Sequence, residues 1–252
     1  MNIKSPSQGD LPKLKALWKE AFGDTDEYID TFFSVAFSED RCFSAWDGDK
    51  LAGALYFFNC SFDGHPIAYL YGVATAKAYR GRGVCRRLME HTHSVLRSRG
   101  YVGSILVPAG KDLFDFYRKL GYNVCTYVDE ITVLANGSSC KLLEITASCY
   151  ESARRALLPP HGVVQEGENI SFLASVSRFY RGDGFIMTAY KEGSHLFCAE
   201  FLGDSSRFSE AVAALGCNTG TFRTVGEGKP FAMYRSFTEK TIQPSYFSLA
   251  FD

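Results

Sequence analysis

Apolar residues near the start of the chain recur at helical spacing. Leu14, Leu17, Trp18, Ala21 and Phe22 fall on one face of a helix that Asp10 can cap and Gly23 can end. Tyr28, Ile29, Phe32, Phe33 and Ala36 repeat the pattern in a second helix. From residue 41 the helical spacing gives way to short apolar runs between turns. Strands are expected at 41–46 and 51–59 around an Asp47-Gly48 turn, and Asp63-Gly64 turns the chain into a third strand reaching Ala74. A glycine-rich basic turn then opens onto a helix, which Gly100 ends. An apolar strand at 102–107 stops at Pro108, a helix begins near Asp112, and a last strand occupies 127–134.

Asn136-Gly137-Ser138-Ser139 reads as a linker, which divides the chain into residues 1–138 and 139–252. The second part shows two helices separated by Pro159-Pro160, a hairpin with strands at 185–190 and 195–201, and a helix at 207–215. Strands are expected at 232–237 and 246–250. The pattern as a whole is α/β, a mixed sheet with helices on both faces followed by a smaller α/β unit.

Composition narrows the classes. A net charge of −1 argues against a general nucleic-acid binder, and no apolar run approaches the ~18 residues of a membrane span. The first six residues lack the apolar core of a signal peptide. The eight cysteines are scattered, with no C-x-x-C pair, which fits free thiols in a reducing cytoplasm. The five histidines form no cluster, so no metal site is expected.

The stretch with the most chemistry is Tyr79-Arg80-Gly81-Arg82-Gly83-Val84-Cys85-Arg86-Arg87. Glycines at 81 and 83 let a ligand approach the backbone. The first helical amides have no intrahelical partner and favour an anion there. Arg80, Arg82, Arg86 and Arg87 add donors suited to phosphate oxygens. The turn suits a pyrophosphate; it also suits an ordinary strand-to-helix connection with solvated arginines. It is neither a Walker loop nor a G-x-G-x-x-G fingerprint, since Arg86 stands at the third glycine.

Arg80 and Gly83 match the Q/R-x-x-G-x-G/A motif of GCN5-related N-acetyltransferases, which the run resembles; Cys85 departs from its small last residue. Tyr71-Gly72-Val73-Ala74-Thr75 looks like that family's central strand, and Phe116-Tyr117 followed by Gly121-Tyr122 looks like its late F-Y-x-x-x-G-Y/F helix. A catalytic half followed by a half without a second cradle resembles the Eis-type members, whose second domain is a degenerate copy of the first. The resemblance implies acetyl-CoA as co-substrate and no metal. The pyrophosphate would lie on Gly81, Arg82, Gly83, Val84, Cys85 and Arg86, and the pantetheine arm along Val73, Ala74 and Thr75. It further implies an amine-bearing acceptor, which the sequence does not name, and leaves a homo-oligomer open.

Tyr117 is the candidate acid for the leaving thiolate, a phenol being protonated at neutral pH. Leu113, Tyr117 and Leu120 also share a helical stripe that suits a core tyrosine. Many relatives carry a base on the central strand, but residues 67–75 contain no carboxylate. Some Eis-type enzymes use the chain-terminal carboxylate, so Asp252 is the candidate base; an apolar terminus also docks for stability alone. Asp24, Asp26, Glu27 and Asp30 lie where the family builds its acceptor entrance, and equally suit helix capping and a solvated face. The two functions expected are an acetyl-CoA-dependent N-acetyltransferase and a non-catalytic acyl-CoA-binding module.

Overall fold

The computed structural model describes residues 1–239 and 242–251. The chain runs through β1 (Asn2–Lys4), α1 (Leu11–Phe22), α2 (Asp26–Val35), β2 (Cys42–Asp47), β3 (Lys50–Phe62) and β4 (His65–Thr75). It continues through α3 (Val84–Ser98), β5 (Gly103–Leu106), α4 (Lys111–Arg118), β6 (Asn123–Val124) and β7 (Tyr127–Leu134). The later elements are β8 (Leu143–Ile145), α5 (Ala147–Leu157), β9 (Val164–Gln165), α6 (Glu168–Val176), β10 (Arg178–Gly182) and β11 (Phe185–Glu192). They close with β12 (His195–Gly203), α7 (Phe208–Ala214), β13 (Thr219–Val225), β14 (Lys229–Pro230) and β15 (Met233–Ser236).

The expected caps are partly realised. Gly23 ends α1 in the left-handed region at φ 79°, and the Thr25 hydroxyl caps α2 by accepting from Tyr28 N at 3.2 Å. Asp10 stands at the start of α1 but turns its carboxylate back to Ser7, whose backbone N and hydroxyl donate at 2.9 and 3.0 Å.

Two sheets form. The first has the order β1-β2-β3-β4-β5-β15-β6, with β9 beside the far end of β3. Its strands are apolar on both sides, because helices cover both faces. Along β3, Ala54, Tyr56 and Phe58 enter the core under α1 and α2, while Leu55 and Phe57 enter the core under α3 and α4. The second sheet has the order β14-β7-β13-β12-β11-β10-β8. Each sheet contains one parallel pair joined by a helix, β4-α3-β5 in the first and β12-α7-β13 in the second. This repeated unit is what makes the two sheets alike.

The sheets exchange strands. Residues 127–134, expected to close the first sheet, pair with β13 in the second. The vacant position between β5 and β6 is filled by β15, through Leu106↔Met233 and Val124↔Met233. Buried Cys125 and Thr126 carry the chain across: Cys125 N donates to Ala232 O at 3.0 Å, and Phe231 N to Thr126 O at 2.9 Å.

Residues 246–250 form no strand: Tyr246 makes a single bridge, to Gly162, and Ala250 N turns back to Ser248 O at 2.8 Å. Side chains hold the segment where a ladder was expected. Gln165 Nε2 donates to Leu249 O at 2.9 Å and Arg223 Nη1 to Ser248 O at 3.2 Å. Beneath them Glu200 is fully buried. Its carboxylate accepts from Arg154 at 2.7 and 3.0 Å, from the Tyr150 hydroxyl at 2.6 Å and from the Ser248 hydroxyl at 2.6 Å. A buried ion pair with its remaining lone pairs satisfied is a strong positional constraint.

Candidate functional site

Parallel pairing between β4 and β5 ends at Tyr69↔Ile105, although β4 continues to Thr75 and keeps its ladder with β3 as far as Gly53↔Thr75. The β5-facing edge of β4 beyond Tyr69 is therefore open. A bulge between the pairs Ala54↔Ala74 and Tyr56↔Tyr71 kinks the strand at this point. Gly72 takes φ 58° there, and a Cβ on it would lie 2.9 Å from the Tyr56 ring and 3.2 Å from Trp18. A glycine inside a strand marks a bulge or a close backbone approach, and Gly72 shows both.

A cleft of about 930 Å³ occupies the gap. Leu70, Tyr71, Gly72 and Val73 line it from β4, Leu106 and Val107 from the end of β5, and Phe114 and Tyr117 from α4. Trp18, Asp24 and Tyr28 close the opposite side, with Ala250 and Phe251 from the carboxy-terminal segment.

The basic turn follows the open edge. Gly81 and Gly83 have φ 73° and 72°, and Gly83 is the left-handed residue from which α3 starts. Arg87 N makes the first helical bond, to Gly83 O at 3.1 Å, so the amides of Val84, Cys85 and Arg86 precede the helical ladder. Val84 anchors the turn in the core, while Arg80, Arg82 and Arg86 are exposed. Arg80 Nε turns back to Thr75 O at 3.2 Å, and Arg82 lies over the Tyr79 ring at 5.6 Å.

Of the sequence-derived donor residues, Val73 lines the cleft, Ala74 is buried and Thr75 half-buried at its end, and 80–86 form the turn beyond, exposed at 80–83 and 86, with Val84 buried and Cys85 half-buried. Tyr117 is 7% exposed and packs in the core with Phe116 and Tyr122, yet it also lines the cleft. Its hydroxyl has no hydrogen-bond partner among the described residues. Burial, with Cys85 nearby, pushes the phenol well above its ordinary value, so it stays protonated throughout the neutral range. Burial likewise pushes the Cys85 thiol up to about 11. Asp252 lies outside the described residues.

The acidic group of the entrance separates. Asp26 and Asp30 pair on the surface with Lys19 and Lys15 at 2.5 and 2.7 Å. Glu27 is exposed, and Asp24 turns inward to accept from Trp18 Nε1 at 2.7 Å. The sequence reading missed the aromatic wall around it: Trp18, Tyr28, Tyr71 and Phe251. Its one local signal was the crowding of aromatic residues at the end of the first helix and through the second. Tyr28 and Tyr71 hydroxyls meet at 2.8 Å. Burial, and then Tyr28, push the Tyr71 phenol well above its ordinary value.

A central strand that parts from its parallel neighbour, a left-handed glycine turn entering a helix and a phenol in the gap together define an acyl-CoA transferase fold. Residues 2–125 match the family model described as an acetyltransferase (GNAT) domain. This half of the chain belongs to the GCN5-related N-acetyltransferases. The whole chain is similar in fold to a member from Anabaena variabilis, at 18% identity over 94% of this chain and 73% of that one, with a TM-score of 0.72. A second, from Kribbella flavida, is 17% identical over 93% and 70%, with a TM-score of 0.70. Eis1 from Mycobacterium abscessus is 10% identical over 94% and 74%, with a TM-score of 0.66. The comparison with curated proteins gave no match.

Proposed function

We propose that this chain transfers the acetyl group of acetyl-CoA to a primary amine. The observation that carries the reading is the parting of β4 from β5 after Tyr69, with Tyr117 in the gap and the Gly81–Gly83 turn at the end of the open edge. The pyrophosphate would rest on the amides of 81–86, where backbone donors and the helix dipole converge. The pantetheine arm would run along Val73, Ala74 and Thr75, and amides near Val73 and Ala74 would polarise the thioester carbonyl. Residues 1–138 would contribute the donor machinery and 139–252 the remainder of the acceptor wall.

The amine must reach the carbonyl uncharged. Its nitrogen lone pair forms the N–C bond, the C–S bond breaks, and the sulfur takes a proton as it leaves. Tyr117 is suited to supply that proton, being protonated and otherwise unengaged among the described residues. The base is the open part of the reading: Asp252 is the candidate that the resemblance offers, the alternative is a terminus that only docks, and residues 67–75 contain no carboxylate.

That last observation also favours a second reading, an acyl-CoA-binding module without efficient chemistry. Calorimetric titration with CoA and measurement of thiol release from acetyl-CoA over a panel of amines distinguish the two. Binding with amine-dependent thiol release supports the transferase. Binding without release supports the module, and failure to bind CoA removes both.

A further inference from the structure

The acceptor end of the cleft is built mainly of rings. The Trp18 and Phe251 rings each lie 5.5 Å from the Tyr71 ring, and Tyr28 joins Tyr71 through their hydroxyls. Two large apolar side chains that reach solvent frame the mouth, Phe22 at 44% and Leu113 at 38% exposure. Apolar surface in this arrangement favours a ligand with an apolar body.

The charges in the cleft are more selective than the rings. Among the described residues two carboxylates line it, Asp24 and Asp115. Asp115 is neutralised by Arg118. Asp24 has no basic partner among the described residues; the Trp18 indole holds its Oδ2 at 2.7 Å, which fixes the carboxylate and leaves Oδ1 for another donor. The basic lining residues are Lys111, Arg118 and Lys229, the last paired with Glu130 at 2.8 Å. The cleft thus presents one uncommitted anion beside aromatic faces, and it presents cations elsewhere.

We infer that the acceptor is a monoamine on an aromatic or alkyl stem, its single ammonium received by Asp24 and its stem lying against Trp18, Tyr28, Tyr71 and Phe251. The inference rests on the acetyltransferase reading above and adds the class of its substrate. A carboxylate held at the edge of the Trp18 indole, within a cleft lined by rings, suits one ammonium on an apolar stem through a charge-assisted bond. A polyamine would bring a second ammonium towards Lys111 and Lys229 with no free carboxylate to meet it. A polyhydroxylated amine would press most of its hydroxyls against ring carbon, where the polar atoms are the Tyr28 and Tyr71 oxygens, already joined to each other. In the reaction R–NH3⁺ and acetyl-CoA give the amide, CoA thiol and one proton. Of the two protons the nitrogen loses, one goes to water and the balance of the other is met by the thiol.

The test is calorimetry on the full chain, with and without saturating CoA, using 2-phenylethylamine and spermidine as probes. We expect 2-phenylethylamine to bind at least about tenfold tighter than spermidine, the scale set by burying one aromatic ring. Asp24→Asn keeps the acceptor for the Trp18 indole and removes the charge, and it should weaken 2-phenylethylamine by about tenfold or more. Equal or tighter spermidine binding, no binding of either amine, or an Asp24→Asn variant that binds 2-phenylethylamine as wild type would each overturn the inference. Those outcomes alongside normal CoA binding would sink the substrate class alone; loss of CoA binding itself would sink the transferase reading.

Discussion

The Tyr71 hydroxyl donates to the carbonyl oxygen of Phe251 at 3.1 Å, joining the central strand to the end of the described chain. A carbonyl cannot donate, so the one Tyr71 proton is committed there. In the 2.8 Å contact between the two phenols, Tyr28 is therefore the donor. The hydroxyls run in one direction, from α2 through β4 to the carboxy-terminal segment, and Phe251 becomes a wall of the cleft.

Deleting Phe251 and Asp252 should lower stability by about 1.5–3 kcal/mol, the burial of one phenylalanine, and raise the KM of the acceptor while CoA affinity is retained. The docking contacts lead us to expect normal turnover per folded molecule at saturating amine. A fall of about 10²–10⁴-fold would instead assign the terminal carboxylate as the base. Thermal melting and saturation kinetics on one truncated sample give both readings.

Tyr117→Phe retains the packing against Phe116 and Tyr122 and removes only the hydroxyl. We expect kcat to fall about 10²–10⁴-fold with CoA affinity nearly unchanged. Since the phenol is held above its ordinary value, deprotonation of Tyr117 should not limit the wild-type rate between neutral pH and about 9. Wild-type turnover in the variant would return Tyr117 to a purely structural role.

Gly83→Asp should weaken CoA by about tenfold or more, because it sets a negative charge at the start of α3. A Cβ there meets nothing closer than Arg87 Nη1 at 3.8 Å, so the cost to folding is the φ of 72° and not a clash. Gly83→Asn carries the same backbone cost without the charge. Tighter CoA binding by Gly83→Asn than by Gly83→Asp isolates the electrostatic part; equal affinities would remove the anion cradle.

Removing the cation from the buried pair should be severe. Arg154→Met leaves Glu200 buried without its counter-charge, and we expect a loss of about 3–5 kcal/mol by denaturant unfolding. In the wild type, burial works to raise the Glu200 carboxyl, but the Arg154 charge and the hydrogen bonds from Arg154, Ser248 and Tyr150 outweigh it and hold it below its ordinary 4.5. Its stabilisation is complete above that value and is lost as pH falls below it. In Arg154→Met the sign reverses, and mild acid should relieve part of the defect.

His93 acts in a higher window. Burial, then Arg235 and Arg97, lower it to about 3, while Nε2 meets the Tyr122 hydroxyl at 2.8 Å. The unfolded chain binds the proton more readily, so stability should fall on acidification below about pH 6.5, by roughly 1.4 kcal/mol per pH unit. His93→Gln should flatten the stability profile between pH 6 and about 4.5, above the range in which Glu200 responds. An unchanged slope there would mean that His93 is not the group responsible.

What the sequence displayed was local. The two opening helices, the β2–β3–β4 meander and the glycine turn follow from spacing and turn residues within a few positions of one another. Local pattern shows that 127–134 and 232–237 are strands, but it carries no information about which edge each one joins, so their exchange was not legible. The segment 246–250 has the apolar pattern of a strand and is held by Gln165 and Arg223 side chains instead. Glu200 within the apolar run Cys198-Ala199-Glu200-Phe201-Leu202 was the one visible sign of the buried network, and its partner Arg154 is 46 residues away. In the cleft, Tyr117 and Val73 could be named from motifs. The ring of Phe251 could not, because nothing nearby in sequence predicts that the chain returns to β4.

The insertion of β15 between β5 and β6 fixes the order in which this protein can mature. Residues 1–138 can leave the ribosome with β1 to β7 complete and still lack the strand that bridges the edge of the first sheet. That strand arrives about a hundred residues later, after β7 has been committed to the other sheet. A fragment cut at the linker would expose the unpaired edge of β5 and invite another chain to fill it. Completion of the first sheet is therefore a late event in the life of each molecule, reached only when a strand from the second half has been threaded into it.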